Sequence, residues 1–414
     1  MKKTILYFIL VSFSSLPIAG FSAATTRHFV VDDKNAFDVL KLPTPTGPHR
    51  TGTAIFHFVD KSREDFITKK PGEFREMMAQ LWYPAAVSKQ ATTAPYVPDP
   101  IILPTIIETG VDSKTANRWK DIQTHSVLNA PVIKGRLPLL LFSPGLAASR
   151  CQYTTLAEEL ASHGFIVAVI DHPYNGAMAL PDGRILSALS DPEGGETEES
   201  SKIRAVMWAA DASFVVDRLT DPRSKETARF TSHIDINRIG MLGHSLGGAA
   251  ALEVCLTDKR FKAAIDMDGG FFSNVTEKGF ARPTMILRSS PDYSDEDLAK
   301  KGRTREQWEK MGEKFRKPFL AILAKNESVP CYHVRVKGTG HMSFSDAPFV
   351  WTDAITRFGG RIIDARRGLE IITVLIRAFF DQHLNGKPSE LLNHPEKRYP
   401  EVSLEVFGRR STQQ

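Results

Sequence analysis

Residues 238–252 read Arg-Ile-Gly-Met-Leu-Gly-His-Ser-Leu-Gly-Gly-Ala-Ala-Ala-Leu. An apolar run at 239–242 leads into Gly243-His244-Ser245-Leu246-Gly247, and small residues follow from Gly248 to Ala251. A bare G-x-S-x-G pentapeptide is common; the flanks make this one informative. A buried strand, a sharp turn and a helix, in that order, hold a serine side chain at the carboxyl end of the strand. The glycines let strand and helix approach without Cβ collisions. The helix N-terminus behind Ser245 favours negative charge developing beside it. The plain alternative is a solvent-facing serine in a glycine-rich turn, and the strand before and helix after weigh against it.

Apolar segments alternate with helical ones on both sides of this turn. Leu137–Ser143, 165–171, 238–244, 263–268, 284–287 and 332–336 read as buried strands. Residues 153–163, 201–219, the stretch from Ser245 and 369–384 read as helices. Continuous apolar strands separated by helices predict an α/β fold: a mostly parallel sheet with helices on both faces. Residues 51–60 and 75–83 add an edge hairpin at the start. Ligands in such sheets sit at the carboxyl ends of the strands. A hydrophobic content of 42% supports a sizeable core.

Residues 1–24 read as a signal peptide: Lys2 and Lys3, an apolar run at 5–13 too short to span a bilayer, and small residues Ser22 and Ala24 before the cleavage point. Their removal takes two lysines and no acid, lowering the net charge from +5 to +3. That balance is too mild, and its basic residues too scattered, to imply nucleic acid. The expected layout is an irregular arm over 25–50, one domain over 51–385 with insertions near 84–136 and 292–326, and a tail over 386–414. Cys151, Cys255 and Cys331 form no C-x-x-C pair and no metal spacing, and read as buried thiols. The acidic run at 191–199 reads as a solvated loop, without the spacing of a calcium loop.

A serine hydroxyl needs a general base, usually a histidine oriented by a carboxylate. Of the 12 histidines, His333, His341, His383 and His394 follow Ser245. His341 stands in Lys337-Gly338-Thr339-Gly340-His341, a glycine-rich turn just past the last predicted parallel strand, where the base should hang. For the acid, the residues leave alternatives open. Asp266 and Asp268 share a sheet face by alternation. Asp268 lies nearer the carboxyl end, beside two glycines, and Asp292 after the next strand is a rival. The oxyanion needs two N–H donors. One is Leu246, the residue after the nucleophile; the other comes from the turn Pro144-Gly145-Leu146, where proline has no N–H and Leu146 is the choice.

The segments 138–146 and 160–168, the elbow Gly243–Gly248, the strand 261–268 and the glycine-rich turn to His341 together resemble the platelet-activating factor acetylhydrolase family of α/β-hydrolases. The likeness runs over residues 50–385, weakest at 84–130 and 290–330. It implies an α/β-hydrolase fold, Asp268 rather than Asp292 as the acid, and the second oxyanion donor at Leu146. It also implies Ca²⁺-independent hydrolysis of short or oxidised acyl esters, with no cofactor, no metal, and a small ester or phospholipid substrate met by transient contact with a membrane surface. The sequence departs from the pattern at Pro144, where many members carry histidine, and in the charged insertion 292–326.

The expectation is therefore an exported, periplasmic or secreted, serine esterase with Ser245, Asp268 and His341 as triad. Rivals on the same fold are a polyester or cutin-type depolymerase and a peptidase. A non-catalytic binding protein would lack a triad member, and none is missing. Three features bear on substrate. The run from Ile101 to Ile107 reads as a short core element, an acyl-pocket wall or an interfacial patch. Trp308, Met311, Phe315, Phe319 and Ile322 recur at helical spacing, as a packed helix or a lid. His172 lines the pocket or ends a strand in a turn.

Overall fold

The structure is a computed structural model that describes residues 41–88, 90–188, 197–351 and 363–408. The leader at 1–24, most of the arm and residues 191–196 of the acidic run lie outside the described residues.

Twelve strands are present among them: β1 (Thr51–Glu64), β2 (Phe74–Pro84), β3 (Val127–Leu128), β4 (Leu137–Ser143), β5 (Ile166–Asp171), β6 (Met178–Ala179), β7 (Ile185–Leu186), β8 (Ile234–His244), β9 (Phe261–Met267), β10 (Thr284–Ser290), β11 (Cys331–Lys337) and β12 (Val402–Phe407). Ten form one sheet in the order β12-β11-β10-β9-β8-β4-β5-β2-β1-β3, while β6 and β7 pair separately. The run from β11 to β5 is parallel throughout. β4 pairs with β5 on one side and β8 on the other, so the winding direction reverses there. Such a reversal opens a crevice at the carboxyl ends of the two strands. In it, Ser143 at the end of β4 is paired with Gly243 of the elbow strand.

Alternation along each strand divides the core into two layers. Leu139 and Leu141 of β4 and Ile166, Ala168 and Ile170 of β5 pack on one face. Leu140, Phe142, Val167 and Val169 pack on the other. The first face is covered by α4 (Glu198–Thr220) and, beyond the single turn α5 (Ala228–Thr231), by α6 (Leu246–Thr257), through Trp208, Ala212, Val216 and Ala250. The second is covered by α3 (Thr154–Ser162) and the last long helix (Ala365–Asn385), through Leu160, Ile371, Leu375 and Phe379. That closing helix starts where the Asp364 carboxylate accepts the Arg367 N–H and stops at Gly386, φ 65. This is the α/β-hydrolase architecture.

The insertion at 84–136 holds two helices, α1 (Leu103–Glu108) and α2 (Ser113–Trp119). Ile102, Leu103 and Ile106 are buried with Trp119 and Val350 in a satellite core, so the isoleucine run is mainly a core element. In the second insertion, Phe319 stacks on Phe271 at 4.2 Å and carries the Arg288 guanidinium at 4.4 Å. The helix Arg305–Ala324 is packed down by these contacts. The C-terminal segment needs a correction: residues 402–407 are no tail but the edge strand β12, antiparallel to β11. The alternation Val402, Leu404, Val406 against Ser403 and Glu405 is what a half-covered edge strand requires.

Candidate active site

Ser245 stands between the last residue of β8 and the first of α6 at φ 54, ψ −125. A non-glycine residue holds such a conformation only where its surroundings enforce it. Here the backbone does so: Ser245 N–H donates to the Met267 carbonyl at 2.8 Å, and the Ser245 carbonyl accepts the Gly248 N–H at 2.9 Å. The turn is too tight for side chains on either flank. A Cβ on Gly243 would lie 2.1 Å from the Gly247 carbonyl oxygen, and one on Gly247 would lie 2.0 Å from that of Ser143.

His341 opens a short 3₁₀ turn (His341–Phe344) after β11. Its Nδ1 lies 2.8 Å from Asp268 Oδ2. Asp268 follows β9 at φ 53, which swings its carboxylate out of the strand's alternation and toward β11. Ser289 at the end of β10 supports it: its N–H donates to Oδ1 at 2.9 Å, and its hydroxyl lies 2.9 Å from both carboxylate oxygens. Burial alone would raise the Asp268 pKa. The hydrogen bond and charge of His341, with the Arg288 cation and the Ser289 N–H, outweigh it and hold the carboxyl far below the usual range. An ionised Asp268 fixes the proton on Nδ1 and leaves Nε2 with a lone pair able to accept a proton.

The rival carboxylates are placed elsewhere. Asp266 is fully buried, accepts the Gly269 N–H at 2.8 Å and lies 3.6 Å from Arg288. Burial pushes it up to about 6, with Arg288 offsetting only part. Asp292 is exposed. His333 is buried in β11 against Glu405 of β12, and His383 is held in the closing helix beside Tyr332 and Phe379. Burial pushes the thiols of Cys151, Cys255 and Cys331 up to about 12, where none is a nucleophile near neutral pH.

The backbone donors follow the same turn-by-turn logic. Leu246 is the first residue of α6, where an N–H has no partner within the helix. In the turn after β4, Gly145 N–H donates to the Tyr153 hydroxyl at 3.0 Å, and Ala147 N–H to Asn175 Oδ1 at 3.1 Å. Leu146 N–H has no protein partner among the described residues. The turn lies against Ser245: a Cβ on Gly145 would sit 3.2 Å from the Ser245 Cβ. A direct Ser245–His341 hydrogen bond is not closed in this structure; that contact commonly tightens only with substrate bound.

Sequence reasoning missed several residues here. His244, buried beside the serine, lies ring to ring with His341 at 4.5 Å and bonds the Tyr153 hydroxyl through Nδ1 at 2.9 Å. The tyrosine oxygen thus accepts from Gly145 and shares a second hydrogen bond with His244, whose Nε2 is buried without a hydrogen-bond partner among the described residues. Burial, aided by the neighbouring His341, pushes the His244 pKa down to about 3. Tyr153 reads from the sequence only as the start of a helix, and Ser289 only as a residue past the end of the predicted strand 284–287. His172 is fully buried and bonded to Ser143 and Asp211, so it braces the crevice from behind rather than lining it.

Three comparisons with known proteins bear on this arrangement. The family model for platelet-activating factor acetylhydrolase, isoform II, matches residues 35–229 and 222–390. A probable 1-alkyl-2-acetylglycerophosphocholine esterase of Arthroderma benhamiae is 27% identical over 395 residues, covering 87% of this chain and 92% of that protein. The platelet-activating factor acetylhydrolase of Gallus gallus is 23% identical, covering 89% of each chain. Among solved structures, a ferulic acid esterase from Streptomyces cinnamoneus superposes with TM-score 0.68 at 31% identity, covering 89% of this chain and 99% of its own. The chain therefore belongs to the platelet-activating factor acetylhydrolase, isoform II, family of α/β-hydrolases and is a carboxylic ester hydrolase.

Proposed function

We propose that the protein is an exported serine esterase that removes short or modified acyl groups from esters through an acyl-enzyme. The observation that carries this reading is Ser245 held at φ 54, ψ −125 on the elbow, while His341, whose Nδ1 is bound to buried Asp268, lies ring to ring at 4.5 Å with His244, the residue before the serine. Ser245 Oγ attacks the acyl carbonyl as its proton passes to His341 Nε2. The N–H groups of Leu146 and Leu246 hold the resulting oxyanion. The ester C–O bond breaks, the departing alkoxide takes the proton from His341, and the acyl group stays on Ser245. Water then attacks with His341 again as base, releasing the acid and restoring the serine.

The fungal and avian relatives favour an acetyl or similarly short acyl group at a glycerol position, which also agrees with the family match. A second reading, an esterase of aryl or polymeric esters, is favoured by the ferulic acid esterase and by a Thermobifida alba cutinase, 26% identical over 153 residues. Export is supported by the charged, apolar and small-residue succession of residues 1–24; no helix of the described residues is long and apolar enough to cross a membrane.

The test is hydrolysis of p-nitrophenyl acetate through dodecanoate, a 2-acetyl phospholipid and methyl ferulate, by wild type and Ser245→Ala, with EDTA present. Turnover peaking at short chains and including the phospholipid supports the first reading. Turnover concentrated on methyl ferulate supports the second. Activity of Ser245→Ala within a few-fold of wild type would sink both. Protein recovered from outside the cytoplasm should begin at Thr25.

A further inference from the structure

One side chain holds three polar groups of the turn that follows β4. Asn175, in the loop after β5, is 1% exposed. Its Oδ1 accepts the Ala147 N–H at 3.1 Å, and its Nδ2 donates to the carbonyls of Gly145 at 3.0 Å and Ala148 at 3.2 Å. Only this orientation of the amide serves all three. Flipped, the amide oxygen would face two carbonyls and its NH₂ would face an N–H. The turn has reason to need a template, because Ala147 is held at φ 61, a left-handed conformation that L residues adopt only when other contacts enforce it.

The consequence is a selection among four successive amides. Gly145 N–H is taken by Tyr153, Ala147 N–H by Asn175 and Ala148 N–H by the Gly145 carbonyl at 3.1 Å. Leu146 N–H is the one left over among the described residues.

The loop that carries Asn175 is itself fixed to the root of the turn. The His172 carbonyl accepts the Asn175 N–H at 3.2 Å. The His172 ring lies 2.8 Å from Ser143 Oγ through Nε2 and 2.8 Å from Asp211 Oδ2 through Nδ1. Asp211 is also bonded by buried Arg75 at 2.6 Å, and accepts only. The Nδ1 proton therefore points to Asp211, and the Ser143 hydroxyl donates to Nε2. This is a second Ser–His–Asp row, but Ser143, His172 and Asp211 are each fully buried. With no route for substrate, it acts as a brace between the residue before the turn and the loop beside it.

We propose that Asn175 is a positioning residue of the esterase, shaping the 145–148 turn so that the Leu146 N–H is presented to the oxyanion. The inference rests on the serine-esterase reading above. Asn175 touches neither the nucleophile nor the reacting carbonyl; it acts through the backbone it holds.

The experiment compares the full-length wild type, Ser245→Ala, Asn175→Ala and Asn175→Asp. It reads kcat and KM on p-nitrophenyl acetate and Ki for an alkyl trifluoromethyl ketone, whose adduct with serine carries the tetrahedral oxyanion. Asn175→Ala should lower kcat about 100-fold with KM within about threefold, and weaken the ketone by a similar factor, because only the tetrahedral state uses the lost donor. In Asn175→Asp the new carboxyl regains a donor when protonated, so its kcat relative to wild type should rise as pH falls from about 8 to about 6.

Retention of kcat within about threefold in Asn175→Ala overturns the proposal. So does a fall in kcat with the ratio of Ki to KM unchanged, which marks a general structural defect. If Asn175→Ala does not fold, Asn175→Asp decides by the same ratio and by its pH trend. Activity surviving in Ser245→Ala would instead remove the serine reading itself, a result distinct from a fully active Asn175→Ala beside a dead Ser245→Ala.

Discussion

Two carboxylates only two residues apart meet opposite surroundings. Asp268 is turned out at φ 53 toward an imidazole and a serine, which keep it ionised. Asp266 stays in the strand, buried beside Arg288 and the Gly269 N–H, and its pKa rises to about 6. Asp268→Asn should therefore cost roughly 10³- to 10⁴-fold in kcat, because an amide no longer fixes the His341 tautomer. Asp292→Asn, at an exposed position, should stay within about twofold of wild type. The reverse ranking in steady-state kinetics on p-nitrophenyl acetate would move the acid to the later strand. Ser245 and His341 are legible in the sequence because their tight turns need glycines at fixed offsets, Gly243 and Gly247 for one and Gly338 and Gly340 for the other. Asp268 is not legible by alternation, because the positive φ that delivers it breaks the alternation. Its assignment came from resemblance. Asn175 and Tyr153 leave no signal at all, since each acts on the 145–147 turn from a different loop or helix.

At the scale of elements, the buried parallel strands were legible, because an apolar run between helices has few other uses, though β8 begins four residues earlier and β10 ends three residues later than the apolar runs predict. Edge elements were harder. β12 covers one side of β11 with Val402 buried and its neighbours half exposed, and its six residues follow two short 3₁₀ turns that read as tail. Its position gives it weight. The Lys337 N–H at the end of β11 donates to the Glu401 carbonyl at 2.8 Å, immediately before the glycine-rich turn to His341. Glu401 is also paired with Arg367 at 2.9 Å. Deleting residues 401–414 should bare the β11 edge and loosen the support of that turn. The expected result is a Tm lower by at least about 5 °C, a loss of a few kcal/mol for a chain of this size, together with a reduced kcat. A thermal melt within about 2 °C of wild type, with activity intact, would show that β12 is only appended.

Across the whole molecule, the proposed site draws its parts from the carboxyl ends of β4, β8, β9 and β11, so no short segment contains it. Only the shared sheet brings Leu146, Ser245, Asp268 and His341 to one rim. The same sheet decides the state of the three cysteines. Cys151 lies in the satellite core, and Cys255 and Cys331 lie on the face covered by α4 and α6. All three are free and buried, with thiols pushed up to about 12 by burial. A thiolate is the reactive form, and packing shields even the small fraction present near neutral pH. Under the proposed export the protein would meet oxidants, yet this arrangement predicts that the thiols stay unpaired. Titration with a chromogenic disulfide should find almost no reactive thiol in the native protein and three after denaturation without reductant. The Tm should be the same with and without a thiol reductant. Fewer than three thiols in denaturant, or rapid native reaction, would mean that this core opens to oxidants.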